Sequence, residues 1–483
     1  MKLRIILLII SNVLFSSFTY SQTQSKFTRE QITGDLDYLF ETLESGHYNF
    51  NANSPKEAFV EEYERIKNSI LDSTNFIDSY RILQPFLSKA KMGHCLINYP
   101  FSEYGKFLRS GGTLFPINIC FYENEVYVRD NFSDDIAIKV GSKILSINNK
   151  PIGEILDEFY NFISGEHQYS INSTIEALNF SRVYWFVFGE VESFDITIEN
   201  NDGNRIQTSV KAINGGSFEG ELAKCKPLTR DDREIKFYDN TAYLFPGPFY
   251  NPSDEYFSGN SFETNNYYSF LDSSFTLIKN KGTENLIIDL RNNMGGMSTF
   301  SNYLLSFIAK KSFGSSSDVF YKTSQITKDG LKEIPDSVLS GDDLELKEAL
   351  LTAENGKFLD MSSKEEYTPR SDDLHYKGNV YVLINRYTFS QAIAAAALMQ
   401  DMNMGLLIGE NTSNSCTMYA STQQFELPNT KLKVMYPRAF IERKNKNASS
   451  DAVEPDISIN QNPFSAKDEI LEFTLGLIAL RKS

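Results

Sequence analysis

The sequence is poor in the residues that build metal centres and disulfide frameworks. It holds four histidines (His47, His94, His167, His375) and four cysteines (Cys95, Cys120, Cys225, Cys416) in 483 residues. All are scattered, without the paired spacing of a zinc site or a stapled small domain. No metal or other cofactor is therefore expected, and the cysteines are either buried free thiols or one or two isolated disulfides. Basic residues are also in deficit: 47 Lys and Arg face 63 Asp and Glu, a net charge of −16. That balance excludes nucleic acid as a partner, because its affinity comes from neutralising phosphates. Nor does any internal segment reach the ~20 apolar residues of a membrane helix. The first stretch, "MKLRIILLIISNVLFSSFTYSQ", has a basic start at Lys2 and Arg4, a short apolar run and a small, polar end. This is the pattern of a secretory leader, residues 1–21, with no cysteine at the cleavage site to carry a lipid. The mature chain is expected to be exported, to the periplasm or beyond, with no integral membrane segment.

What is present divides into three units after the leader. Residues 27–106 read as helical, with apolar residues at three- and four-residue spacing in "REQITGDLDYLFETLESGHYNF" and "SPKEAFVEEYERIKNSILDS". This unit ends at "AKMGHCLINYP", where a helix gives way at Gly93 to a strand. Residues 107–213 alternate as short strands, with a hairpin at "YENE" and a turn at "NNK". From 234 to 483 strands ("TAYLFPG", "ENLIIDLR", "NVYVLIN", "GLLIGE", "KLKVMYP") alternate with helices, which predicts βα units around a mostly parallel sheet. The polar stretch from Ser312 to Lys377 is long for one connection and is expected to carry helices of its own.

Two strand-to-helix junctions in the last unit share a logic. "NLIIDLRNNMGGMSTF" is a buried strand, an Asn- and Gly-rich turn and a helix, and Gly295 and Gly296 there let main-chain N–H groups approach an anion. "NVYVLINRYTFSQAIAAAALMQ" repeats the pattern with Ser390 at the junction and the Gln391 N–H beside it. Ser390 is either a helix cap or a nucleophile exposed at a helix start. In neighbouring parallel units both turns lie at the carboxyl edge of the sheet, where a serine beside two backbone donors suits acyl transfer. Such a serine needs a base. His94 is the candidate, because it follows a glycine at a helix-to-strand break.

Together "LIIDLRNNMGG", "VYVLINRYTFSQAIAAAALMQDMNMGLLIGENTS", "VGSKILSINNKPI", "AKMGHCLI" and "VEPDI" resemble the tail-specific, or carboxyl-terminal processing, serine protease family, in its tricorn-like branch. The resemblance implies an α/β multi-domain protein: a ClpP/crotonase-like α/β core (234–483), an N-terminal helical domain carrying His94 (27–106) and an inserted PDZ-like peptide-binding β domain (107–213). It implies Ser390 as nucleophile, His94 as base, and Gly295 or Gly296 with Gln391 as oxyanion donors. Two positions depart from the family pattern. Ser415 stands where the processing proteases carry a catalytic lysine, and Ser449 stands where the tricorn-like branch has a glutamate that orients the histidine. Glu442 is the nearest upstream carboxylate to replace that glutamate, with Asp451 and Glu454 as alternatives. The expected function is an exported serine peptidase acting on unstructured peptides or protein tails. The rival is a peptide-binding protein on a protease scaffold whose chemistry has faded.

Overall fold

The computed structural model describes residues 26–251, 263–336, 339 and 341–481. The expected leader, residues 1–21, lies outside them. The chain opens with three helices, Arg29–Gly46, Lys56–Ser69 and Phe76–Ser88. The first begins in a capping box, in which the Thr28 hydroxyl accepts from Gln31 N–H while the Gln31 side chain accepts from Thr28 N–H. After a turn the chain forms the short strand Leu96–Ile97.

A β domain follows, closed at its base by the ribbon of Thr113–Leu114 with Ile213–Asn214. Its main sheet runs Ile117–Tyr122, Glu125–Asn131, Lys143–Ile147, Ser193–Glu199, Arg205–Lys211, antiparallel throughout. The expected turns at "YENE" and "NNK" are tight hairpins: Glu123, Asn124, Asn148 and Asn149 all have positive φ, the conformation that two-residue hairpins demand. Helices Ile152–Phe162, Gln168–Leu178 and Phe180–Phe188 pack beside the sheet. One apolar core joins this domain to the N-terminal helices, with Leu36, Phe86, Phe159 and Ile196 all fully buried in it.

The last unit holds two sheets. The first has the order Glu234–Tyr238, Thr241–Phe245, Asn285–Asp289, Asn379–Ile384, Leu406–Gly409, Ile457–Ser458, parallel from its second strand onward. Its central strands are apolar on both sides because both faces are covered. Leu286, Ile288, Val382 and Ile384 face the helices Asn265–Lys281, Ser298–Ser306 and Gln391–Asp401. Ile287, Tyr381 and Leu383 face the terminal helix Glu469–Leu480.

The second sheet departs from expectation. "KLKVMYP" belongs to the long strand Lys433–Arg443, which lies in an antiparallel sheet with Leu96–Ile97, Ser317–Lys322, Phe358–Asp360 and Met418–Glu426 rather than in the parallel one. The polar stretch 312–377 has the expected helices, Gln325–Lys332 and Asp342–Thr352, but also supplies two of these strands. All four cysteines are free thiols. Among the described residues no helix is long and apolar enough to cross a membrane.

Candidate active site at two facing turns

Ser390 occupies the N-cap position of helix Gln391–Asp401, yet its side chain makes no capping hydrogen bond. Its backbone sits at φ 52° and ψ −122°. A left-handed φ at a residue with a Cβ costs on the order of 1–3 kcal/mol and persists only where the surroundings enforce it. Here they do. Tyr387 N–H donates to Asn385 Oδ1, Thr388 N–H to Asn385 O, and the Thr388 hydroxyl to Leu290 O (2.9 Å). Phe389 N–H donates to Asn293 O (2.9 Å), so the turn is fastened to the preceding junction immediately before its bend. The result is an exposed serine on a sharp strand-to-helix turn, the geometry of a nucleophile elbow.

The Gly295–Gly296 turn is seated directly against this elbow. A Cβ on Gly295 would lie 2.6 Å from Gln391 N and 2.9 Å from Ser390 Cβ. A Cβ on Gly296 (φ 140°) would lie 2.2 Å from Phe249 O. Asn293, fully buried, organises the contact. Its Oδ1 accepts Gly295 N–H (2.8 Å) and its Nδ2 donates to Gly247 O (2.7 Å). Asn292 and Asn385 add a side-chain hydrogen bond between the turns (2.6 Å). Gly295 N–H is thus already used, whereas the N–H groups of Gly296 and Gln391 have no hydrogen-bond partner among the described residues. Gln391 is itself anchored through Nε2 to Ser301 Oγ (2.9 Å).

His94 is placed by the turn between helix Phe76–Ser88 and strand Leu96–Ile97. Cys95 N–H closes that turn on Met92 O (3.0 Å), and Ile97 N–H donates to the buried Gln84 side chain (2.8 Å). The strand then pairs with Lys433–Arg443 at Leu96–Met435. Burial holds the imidazole below its ordinary pKa, while the charge of Glu166 and the Tyr419 carbonyl pull it back up. Its Nδ1 is enclosed and has no hydrogen-bond partner among the described residues. The other histidines are tied to local structure. His47 Nδ1 accepts Asn49 N–H and burial pushes its pKa down to about 3. His167 caps helix Gln168–Leu178, and His375 Nε2 meets Ala309 O.

The segment Asn414–Tyr419 runs from the surroundings of His94 to those of Ser390. Asn414 Nδ2 reaches Glu166, Cys416 Sγ meets Ile393 O one turn into the Ser390 helix (3.7 Å), and Tyr419 supplies the carbonyl that acts on His94. Ser415, in the lysine's place, accepts Thr417 N–H and donates to Ser449 O (3.4 Å). Among the described residues no hydrogen bond joins Ser390 to His94. Glu442 lies on the antiparallel sheet opposite Asp318 and is paired with Lys446; its charge bears on Tyr48 rather than on His94. Asp451 and Glu454 are exposed. A cavity of about 400 Å³ nearby is lined by His167, Tyr169, Glu410 and Asp451, but not by Ser390 or His94.

The Ser390 turn also grips the β domain. Tyr387 Oη donates to Glu176 Oε2 (2.7 Å), and Arg386 pairs with Glu176 while donating to Phe121 O (2.9 Å). Phe121 N–H donates to the other Glu176 oxygen (2.8 Å). Burial raises the Glu176 carboxyl, opposed by Arg386 and by these hydrogen bonds. Sequence reasoning found the two turns but missed Asn293, Glu176 and Glu166. Asn293 had a visible signal, the paired asparagines of "RNN".

Residues 256–459 match peptidase family S41. Over that segment, which holds both the Gly295–Gly296 turn and Ser390, the chain is similar to this peptidase family. It is a serine-type peptidase. Its fold resembles that of mature CPAF complexed with lactacystin, at 16% identity and a TM-score of 0.62, covering 94% of this chain and 98% of that one. A second structure of mature CPAF gives 15% identity and 0.58, over 89% and 92%. A putative peptidase from Parabacteroides merdae gives 14% identity over 94% and 97%, with a TM-score of 0.45. At these identities the likeness is one of fold. No curated protein matches the chain.

Proposed function

We propose that this S41 peptidase is exported and hydrolyses unstructured peptides or protein tails through a Ser390 acyl-enzyme, with His94 as general base. The observation that carries the reading is the strained Ser390, held at φ 52° with its hydroxyl and the two backbone N–H groups beside it unpaired among the described residues. In the reaction His94 takes the Ser390 proton as Oγ attacks the scissile carbonyl. Gly296 and Gln391 N–H groups receive the oxyanion; Gly295 serves by letting the turns touch, since its own N–H is held by Asn293. His94 then returns the proton to the leaving amine, and water, deprotonated in the same way, hydrolyses the acyl-enzyme. The lowered His94 pKa suits this role, because the base is neutral at neutral pH.

The β domain is read as PDZ-like and as the substrate-gathering unit. Of its two edge strands, Ile117–Tyr122 has the main chain of Phe121 occupied by Glu176 and Arg386. Arg205–Lys211 is the edge available for strand addition by an extended peptide. The rival reading, a peptide binder with faded chemistry, draws on the missing Ser390–His94 hydrogen bond and on Ser415 and Ser449. Catalytic hydrogen bonds are commonly long before substrate is bound, so the missing bond does not favour the rival by itself. Incubating the mature protein with denatured casein, beside Ser390→Ala and His94→Ala, separates the two. Cleavage lost in both variants supports the peptidase reading, and a wild type that binds casein but never cleaves it supports the binder.

A further inference from the structure

Glu166 lies in the link between helices Ile152–Phe162 and Gln168–Leu178 of the β domain, 72 residues from His94 in sequence. Yet both of its carboxylate oxygens are engaged around that histidine. Oε1 accepts the N–H of Gly93, the residue next to His94, at 2.9 Å. Oε2 accepts from Asn414 Nδ2, also at 2.9 Å. A Cβ on Gly93 would lie 3.4 Å from Oε2, an ordinary contact distance, so the carboxylate packs directly against the main chain at this point. Asn414 begins the segment that continues past the Ser390 helix to Tyr419, whose carbonyl also acts on His94.

We infer that Glu166 is the positioning carboxylate for His94, in the role first assigned to Glu442. The inference rests on the reading of His94 as base. A carboxylate fixed by hydrogen bonds to Gly93 and Asn414 acts on the neighbouring imidazole through its charge rather than through a hydrogen bond to Nδ1, and so favours the imidazolium that forms when Ser390 gives up its proton. Its charge opposes the burial that lowers the His94 pKa. Because Glu166 belongs to the β domain, the domain that gathers substrate also completes the machinery of the core. A shift of the 163–167 link would alter the base directly.

Glu166→Gln is the informative variant. It keeps an acceptor for Gly93 N–H, and a turned Asn414 amide can accept from the new NH₂, so the hydrogen bonds survive while the charge is lost. The rate of Ser390 labelling by a fluorophosphonate is measured across pH in the full mature chain, with thermal unfolding as control. The expected result is a labelling rate at neutral pH reduced about tenfold or more. The acid limb should move to lower pH, since removing a negative charge lowers the His94 pKa, with little change in melting temperature and partial recovery in Glu166→Asp. A wild-type rate and an unmoved acid limb in Glu166→Gln overturn the inference while leaving His94 in place. So does an acid limb that moves in Glu442→Gln instead. A wild type that never labels overturns the peptidase reading itself.

Discussion

The two turns at the heart of the site both bend through left-handed backbone, but they distribute the strain differently. At 295–296 the bend is given to glycines, and a Cβ at either position would collide with a neighbouring main chain. At 390 the bend is given to a serine, which carries the steric cost of a Cβ at φ 52°. The first turn needs no side chain and is built for close approach. The second needs one side chain in one direction, and its neighbours, Thr388, Phe389 and the Asn292–Asn385 pair, hold it there. Strain at a residue that could be glycine is a sign that its side chain is used.

Substitutions can break or sharpen this contrast. The largest effect belongs to Ser390→Ala, which should abolish fluorophosphonate labelling and reduce casein cleavage by several orders of magnitude with the fold intact by circular dichroism. Gly296→Ala forces a Cβ onto Phe249 O and should cost about 3 kcal/mol in chemical denaturation, with activity lost as the turn moves. Asn293→Ala leaves Gly295 N–H and Gly247 O without their buried partners and should cost about 2 kcal/mol by the same assay. Ser390→Gly should do the opposite to stability, adding about 1 kcal/mol by relieving strain while remaining inactive. If it destabilises instead, the bend at 390 is not strained in the way described.

The smallest effect is one of pH. His94 is held below the ordinary histidine value of 6.5, chiefly by burial, and must be neutral to act. Activity should therefore fall as pH drops through that lowered value. The acid limb of kcat/KM, which reports the free enzyme, should have its midpoint below 6.5. A midpoint above 6.5 would mean that the charge of Glu166 outweighs burial.

The contrast also explains what was legible in the sequence. "NLIID" and "NVYVLI" are apolar at every position because both faces of the parallel sheet are covered, and the glycines and asparagines that follow mark each bend. Those are local signals. Strand Lys433–Arg443 was visible as a strand, but nothing in it names its partner, and it pairs with Ser317–Lys322 across more than a hundred residues. Ser317–Lys322 itself was hidden in polar surroundings. Glu166 was invisible for the same reason: a carboxylate in a short link between helices looks like solvated surface until the fold brings Gly93 and Asn414 to it. The reactive groups announce themselves through backbone demands, whereas the groups that tune them are recruited through tertiary contact.

The proposed chemistry stands on Ser390 as a nucleophile activated by His94. Its most direct test is the site and rate of fluorophosphonate modification, mapped by mass spectrometry on the folded mature chain. A single adduct on Ser390 is expected, forming far more slowly in His94→Ala. An adduct elsewhere, none at all, or an equal rate in His94→Ala would contradict it.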